Sequence, residues 1–178
     1  MNLERIATLA SAGLASVLLA RILVRMKPLL ATKRTHQPRE LMEVRRRVDE
    51  LAQVIGAPES SLPTYGETQD GARPHIEIRD GLLYFVVVER GAELVHEPYP
   101  RLDQLLERIF SAVTSEMAST FEARNRRSGE DFRRQMFALN IAYLSKLNPD
   151  WAARERLRLN EVLRAHPFTD GLDPPNLP

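Results

Sequence analysis

The sequence predicts an α+β fold with an N-terminal helix, a three-stranded antiparallel meander and three C-terminal helices. Three observations predict it: an amphipathic segment at residues 41–55, a run of β-rich segments separated by short turns at residues 74–97, and three helical apolar stripes after it. The strands form one run between helices and do not alternate with them, which argues against a parallel βαβ fold. The length of 178 residues suits one such domain with an extension.

The first helix is predicted because apolar residues recur at steps of three and four, and because Gly56 and Pro58 end the pattern. The apolar positions are Leu41, Val44, Val48, Leu51, Ala52 and Ile55. A turn-rich loop over residues 57–72 follows and contains the motif LPTYG.

The meander is predicted from two turn signals, Asp80-Gly81 and Arg90-Gly91. Residues 75–79 alternate, residues 82–89 are almost all β-branched or aromatic, and residues 93–97 return the chain. The middle strand is apolar on both sides and should be the centre of the sheet. Closing the first hairpin pairs three sets of residues: Arg79 with Leu82, Glu77 with Tyr84, and His75 with Val86.

This pairing divides the sheet into two faces. The first face is apolar and comprises Ile76, Ile78, Leu83, Phe85, Val87 and Leu94. The second mixes charged and apolar residues: His75, Glu77, Arg79, Glu93, Leu82, Tyr84, Val86, Val88 and Val95. An apolar centre rimmed by charges is typical of a protein-binding surface, and the alternative is that another helix covers this face.

The three C-terminal helices are predicted from apolar stripes. The first stripe comprises Leu102, Leu105, Leu106, Ile109, Phe110, Val113, Met117 and Phe121, and the second comprises Phe132, Met136, Leu139, Tyr143, Leu144 and Leu147. Ser128-x-x-Asp131 resembles a capping box with Asp in place of Glu, and predicts a stabilised helix N-terminus. Asn148-Pro149 supplies the cap and first residue of the last helix, which runs through Trp151 and ends before Pro167.

The charge is divided between a basic leader and an acidic domain. Residues 1–39 carry seven Lys and Arg residues against Glu4 alone, whereas residues 40–178 carry 18 basic and 23 acidic residues. The uncharged run at residues 6–20 would span roughly 22 Å as a helix, less than the ~30 Å of a bilayer core. Two interpretations of residues 1–39 stay open: a weak membrane tether through residues 6–30, or a non-native start. We expect a cytoplasmic domain at residues 40–170, with an inner-membrane tether as the alternative, and a loose tail at residues 171–178.

Several classes of chemistry lack support in the sequence. There is no cysteine, which excludes disulfides and thiol catalysis, and the four histidines have no metal-ligand spacing, so we predict neither a metal nor a cofactor. His75 and Glu77 share a strand face, which keeps a small hydrolase as one alternative. A nucleic-acid-binding module is another, through the basic leader and an arginine corner comprising Arg124, Arg126, Arg127, Arg133 and Arg134. These arginines also suit solvated helix ends, so nucleic acid is not favoured.

Six segments, in this order and spacing, resemble the immunity protein 63 family of bacterial polymorphic toxin systems. They are LPTYG (62–66), DGARPHIEI (70–78), YFVVVERG (84–91), GEDFRR (129–134), LNPDWAAR (147–154) and HPFTD (166–170). The resemblance covers residues 41–170. This chain departs from the family pattern at Arg108, where an aromatic residue is common, and at Phe121, where tyrosine is usual.

The resemblance implies an immunity protein that binds and neutralises a cognate toxin domain, with no catalytic residue. The acidic balance of residues 40–178 suits a cationic toxin such as a nuclease. Arginine and tyrosine side chains dominate interface hot spots, so we expect partner contacts from the LPTYG loop and the strands. The candidate contact residues are Tyr65, Arg73, His75, Glu77, Tyr84 and Glu89.

Overall fold

The computed structural model describes residues 39–171, and the predictions made for the rest of the leader and for residues 172–178 lie outside them. The described elements are α1 (Arg39–Ile55), a 3-10 turn (Glu59–Ser61), β1 (Thr64–Tyr65), β2 (Pro74–Arg79), β3 (Leu82–Glu89), β4 (Ala92–Tyr99), α2 (Leu102–Arg124), α3 (Phe132–Leu147) and α4 (Pro149–Ala165). The predicted α+β class is confirmed. Across residues 39–171, no helix has both the length and the apolar character needed to cross a membrane.

The four strands form one sheet in the order β1-β2-β3-β4. Strands β2, β3 and β4 are the predicted antiparallel meander, and the register between β2 and β3 contains all three predicted pairs. The fourth strand was not predicted: Thr64 and Tyr65 of the LPTYG motif pair in parallel with His75 and Ile76. Two residues are too few to show strand periodicity, so the prediction of only three strands was wrong.

Both hairpin turns form where the sequence predicts them. Asp80 and Gly81 have φ values of 51° and 76°, and Arg90 and Gly91 have values of 52° and 75°. Two successive residues with positive φ are the signature of a type I′ turn, which matches the twist of the flanking strands. The turns thereby fix the register of β3, the central strand of the meander.

A β-bulge in β4 changes which side chains face the core. Val87 pairs with Val95 and Val88 pairs with Glu93, so Leu94 is an extra residue between two pairs. Val95 packs against the core, whereas Leu94 is 58% exposed. The predicted places of Leu94 and Val95 were therefore wrong, because one inserted residue shifts the strand's alternation by one position.

The helices share one core with one face of the sheet. Ile76 and Phe85 from the strands pack with buried residues such as Phe110, Leu144 and Trp151 from the three C-terminal helices. Most of the predicted helix stripes are in this core or packed against it. Met136 and Leu139 are half-buried and are not part of it, and two phenylalanines beside the turn between α2 and α3, Phe121 and Phe132, are exposed. These two core predictions were wrong, since helical periodicity does not show where the neighbouring layer ends.

Arg108, where the sequence resemblance led us to expect an aromatic residue, contacts an aromatic ring of this core. Its guanidinium carbon lies 4.1 Å from the centroid of the Phe85 ring, and its Nε donates to Glu97 Oε2 at 2.8 Å. The cation–π contact lets an arginine cover the ring that an apolar neighbour would otherwise cover.

Side-chain caps begin the last two helices. Asn148 Oδ1 accepts a hydrogen bond from the N–H of Asp150 at 2.9 Å, and Pro149 is the first residue of α4, as predicted. The N-terminus of α3 is stabilised, also as predicted, but its N-cap is Asp131 and not Ser128. The Asp131 carboxylate accepts from the Arg133 N–H at 3.0 Å.

Candidate protein-binding face

The face of the sheet that points away from the helices is the candidate site, and we call it the outer face. None of its side chains is part of the buried core cluster of residues 39–171. From the strand register, its members are His75, Glu77, Arg79, Leu82, Tyr84, Val86, Val88, Glu93, His96 and Pro98. The sequence left two alternatives for this face, an open protein-binding surface or a face covered by a helix. No helix among residues 39–171 packs its core side chains against it.

Charged side chains on the outer face are held together around Glu77. Its carboxylate lies 2.5 Å from Arg79 Nε and 3.7 Å from His96 Nε2. His96 Nδ1 lies 3.2 Å from Glu93 Oε1, and the His96 ring stacks on Tyr84 with centroids 4.6 Å apart. These contacts connect all three antiparallel strands, although Glu77 Oε1 itself has no hydrogen-bond partner among residues 39–171.

Apolar side chains complete the outer face. Val86 is fully buried between its neighbours, Val88 is half-buried, and Leu82 is exposed near the first hairpin. Leu94, the extra residue at the bulge of the edge strand β4, is an exposed leucine next to Glu93 of this face. An apolar strip beside an ordered charged network can exclude water and orient a partner at the same time.

Three of the six predicted contact residues have register positions on the outer face, namely His75, Glu77 and Tyr84, but His75 is almost fully buried and offers a partner little surface. Of the others, Glu89 is at the opposite register position, next to the second hairpin, and Tyr65 packs against the core cluster. Burial raises the pKa of the Tyr65 hydroxyl above its ordinary value. His96 and Leu94 were not predicted as contact candidates, because the faces on which the residues of β4 lie depend on the bulge.

Arg73 holds the loop that precedes β2. Its Nε donates to the carbonyl oxygen of Leu62 at 3.0 Å, and its Nη2 donates to that of Glu59 at 3.1 Å. Its Nη1 donates to Gln69 Oε1 at 2.8 Å. One guanidinium thus joins three points of the loop, and this geometry gives Arg73 a structural role beside the predicted contact role.

We expect Arg73→Ala to lower the free energy of unfolding by about 2 kcal/mol, since it removes charge-assisted hydrogen bonds to two carbonyl groups. Proteolysis should also cut residues 57–72 faster in the variant. Urea unfolding followed by tryptophan emission measures the first effect, and timed proteolysis measures the second. Arg79→Ala, which removes an exposed arginine from β2, is the matched control. Equal stability and cleavage in the two variants would contradict the structural role.

The arginine corner is mostly neutralised by neighbouring carboxylates. Within the described residues, four of its five arginines form ion pairs: Arg126 with Glu122, Arg127 with Glu130, Arg133 with Asp131, and Arg134 with Asp170. The hydrogen bonds from Arg134 and from the Asp131 N–H hold the pKa of Asp170 below its ordinary value, so that carboxylate stays charged. Few of these arginines remain available for phosphates, so the nucleic-acid alternative gains no support from this corner.

The pair His75 and Glu77 gives no support to the hydrolase alternative. His75 Nε2 lies 3.6 Å from Glu77 Oε2, which is longer than a hydrogen bond, and His75 is only 4% exposed. A substrate could not reach the imidazole in this conformation. Among residues 39–171, no group of three or more His, Asp or Glu side chains has a geometry that could hold a metal ion.

Comparison with known proteins gives one match. The family model described as Immunity protein 63 matches residues 80–161, from the first hairpin turn into α4. This span contains Tyr84 and Glu89 but not the other four predicted contacts. Searches of curated proteins and of solved structures found no match. The match confirms the predicted resemblance: over residues 80–161, this chain is similar to the immunity protein 63 family.

Proposed function

We propose that this protein is an immunity protein that neutralises a cognate toxin domain by binding it through the outer face of the sheet. The family match over residues 80–161 carries the proposal, since its name denotes immunity proteins. An immunity protein of this kind needs a rigid surface complementary to one toxin and no catalytic group of its own.

The outer face suits such binding for two reasons. Its charged and aromatic side chains contact one another across the sheet, which reduces the side-chain entropy lost when a partner docks. Its aromatic and apolar members, including Tyr84 and Val88, supply area that gains free energy when water leaves.

The partner that we favour is cationic, such as a nuclease domain. Residues 40–178 have 23 acidic against 18 basic residues, and opposite net charges speed the encounter of two proteins. On the outer face, the Glu93 side chain is 40% exposed and is more accessible to basic residues of a toxin than that of Glu77, which is 18% exposed.

Co-expression with the C-terminal domain of a toxin encoded beside this protein tests the proposal. We expect the full chain to restore cell growth and to co-purify with the toxin domain. Failure of both, with each partner shown to be folded, would contradict the immunity function. A complex that forms without restoring growth would show binding but contradict neutralisation.

A matched pair of leucine variants tests the binding face. We expect Leu94→Asp to weaken toxin binding by about a hundredfold, because an unpaired carboxylate buried in an interface costs roughly 3 kcal/mol. Leu157→Asp should leave affinity unchanged, since Leu157 is a leucine of similar exposure, 66% against 58%, on α4. Titration calorimetry with the purified toxin domain measures both affinities.

Both leucines are exposed, so neither change should unfold the domain, and circular dichroism can verify this. If the two variants bound the toxin with equal affinity, the toxin would not contact the outer face near Leu94 of β4. In that case Tyr84→Ala, at the centre of the face, decides whether the face binds the toxin at all.

A further inference from the structure

A groove lies between α2 and α4, in the helical layer of the molecule. Two neighbouring cavities of about 460 and 430 Å³ share Glu107, Arg108 and Ser111 as lining residues, so they form one elongated depression. One end is next to Pro98 at the end of β4, and the other is next to Trp151 on α4. We call it the α2–α4 groove. Pro98 is the residue it shares with the outer face.

The carboxylates of the groove are already occupied. Both oxygens of Glu107 accept from Arg154, at 2.6 and 2.8 Å. Both oxygens of Glu155 accept from Arg158 at 2.7 Å, and one of them also accepts from Asn140 at 2.8 Å. Little acceptor capacity therefore remains on these two side chains.

Several other polar groups that line the groove have no hydrogen-bond partner among the described residues. Trp151 is only 3% exposed, and its indole N–H has no acceptor among residues 39–171. A buried N–H without an acceptor is uncommon in folded proteins and costs free energy. Arg154 and Arg158 each use Nε and Nη2 for their glutamate, which leaves Nη1 without a partner in the described residues. Gln104 Oε1 is an unpaired acceptor at the β4 end.

From this inventory we propose that the α2–α4 groove binds an extended, carboxylate-bearing peptide segment of a partner protein. Carbonyl and carboxylate oxygens of the segment accept hydrogen bonds from the Trp151 indole N–H and from the free Nη1 groups of Arg154 and Arg158. A main-chain N–H of the segment donates to Gln104 Oε1. The exposed side chains of Arg154 and Arg158 are long enough to shift and admit an oxygen to the indole.

The charges of the groove favour a peptide over a nucleic acid. Each groove arginine is paired with a glutamate: Arg108 with Glu97, Arg154 with Glu107, and Arg158 with Glu155. With its positive charge balanced, the groove offers single hydrogen-bond donors at fixed points, which suit individual oxygens of one short peptide segment, whereas a phosphate backbone is bound through uncompensated positive charge. This site goes beyond the proposed function, since toxin binding at the outer face does not require it.

Tryptophan emission tests the proposal directly, because Trp151 is the only tryptophan of the chain. The full chain is titrated at low salt with the peptide acetyl-Glu-Gly-Glu-Gly-Glu-amide. We expect a saturable change in emission, and at least a tenfold loss of affinity in the double variant Arg154→Gln, Arg158→Gln. Arg164→Gln is the matched control. Arg164 pairs with Glu161, three residues earlier on the same helix, just as Arg158 pairs with Glu155, but it does not line the groove.

Three results would overturn the proposal. The first is no saturable emission change with the glutamate peptide. The second is equal affinity in the double variant and the Arg164 control. The third is an equal or larger response to the lysine analogue of the peptide or to a single-stranded oligonucleotide. Circular dichroism of each variant shows whether an affinity difference reflects loss of fold.

Discussion

The Asp131→Ala variant is expected to lose about 3 to 5 kcal/mol of the free energy of unfolding, which is a large share of the stability of a small domain. Asp131 is nearly buried, and its carboxylate accepts from the main-chain N–H groups of Arg133 at 3.0 Å and Thr169 at 2.9 Å. The Arg133 guanidinium pairs with it at 2.5 Å and also donates to the carbonyl oxygens of His166 and Pro167. Without the carboxylate, a mostly buried cation loses its counter-ion.

Urea unfolding followed by Trp151 emission measures this loss. Asp131→Asn keeps an acceptor for the helix cap but removes the charge, so it should lose less than the alanine variant. Glu130→Ala, next in the chain, removes only an ion pair with the exposed Arg127 and should change stability by less than about 1 kcal/mol. A similarly small loss in Asp131→Ala would show that residues 166–170 are not held by this carboxylate.

The same carboxylate makes stability depend on pH. Hydrogen bonds from Arg133 and Thr169 hold the pKa of Asp131 well below its ordinary value of about 3.9. A carboxyl group whose pKa is lowered by folding contributes its full stabilisation above that ordinary value and loses it as the pH falls toward the folded pKa. The free energy of unfolding should therefore decrease below about pH 4, and by less in Asp131→Asn. Equal decreases in the two proteins between pH 6 and pH 3 would contradict this assignment.

The sequence predicted the meander well because its turns are encoded locally. Asp80-Gly81 and Arg90-Gly91 can adopt positive φ in succession, and this alone sets which residues of β2 and β3 lie opposite each other. The alternation of side chains then assigns most of the two faces, including the places of His75, Glu77 and Tyr84 on the outer face.

What the sequence did not predict depends on contacts between distant residues. Thr64 and Tyr65 form a strand only because β2 lies beside them, and Asp131 meets Thr169 across 38 positions of the chain. No turn residue in the sequence indicates the bulge at Leu94. Neither the α2–α4 groove nor the buried position of Asn140 follows from periodicity, since each depends on how three helices pack.

A buried polar chain connects those three helices. The Thr114 hydroxyl on α2 lies 2.6 Å from two acceptors, the Phe110 carbonyl oxygen and Asn140 Oδ1 on α3, and Asn140 Nδ2 donates to Glu155 Oε1 on α4 at 2.8 Å. Thr114 and Asn140 are almost fully buried, and Glu155 is 7% exposed. Arg158 pairs with the Glu155 carboxylate from the groove side. Asn140 therefore joins a buried polar group on each of the two neighbouring helices.

We expect Asn140→Ala to cost about 3 kcal/mol, because it removes the hydrogen bond to a nearly buried carboxylate and leaves a small cavity. Ser145→Ala on the same helix is the control. Its exposed hydroxyl bonds only to the carbonyl oxygen of Ile141, so the loss should stay below about 0.5 kcal/mol. Urea unfolding measures both changes, and equal losses would show that the polar chain contributes nothing to stability.

A double-mutant cycle with Glu155→Gln separates the charge from the cavity. In the Glu155→Gln background no buried carboxylate needs the amide of Asn140, so Asn140→Ala should cost about 1 to 2 kcal/mol less there than in the unmodified protein. The cavity left by the truncated side chain is the same in both backgrounds and cancels from the comparison. If Asn140→Ala cost the same in both backgrounds, the charge of Glu155 would contribute nothing to the loss.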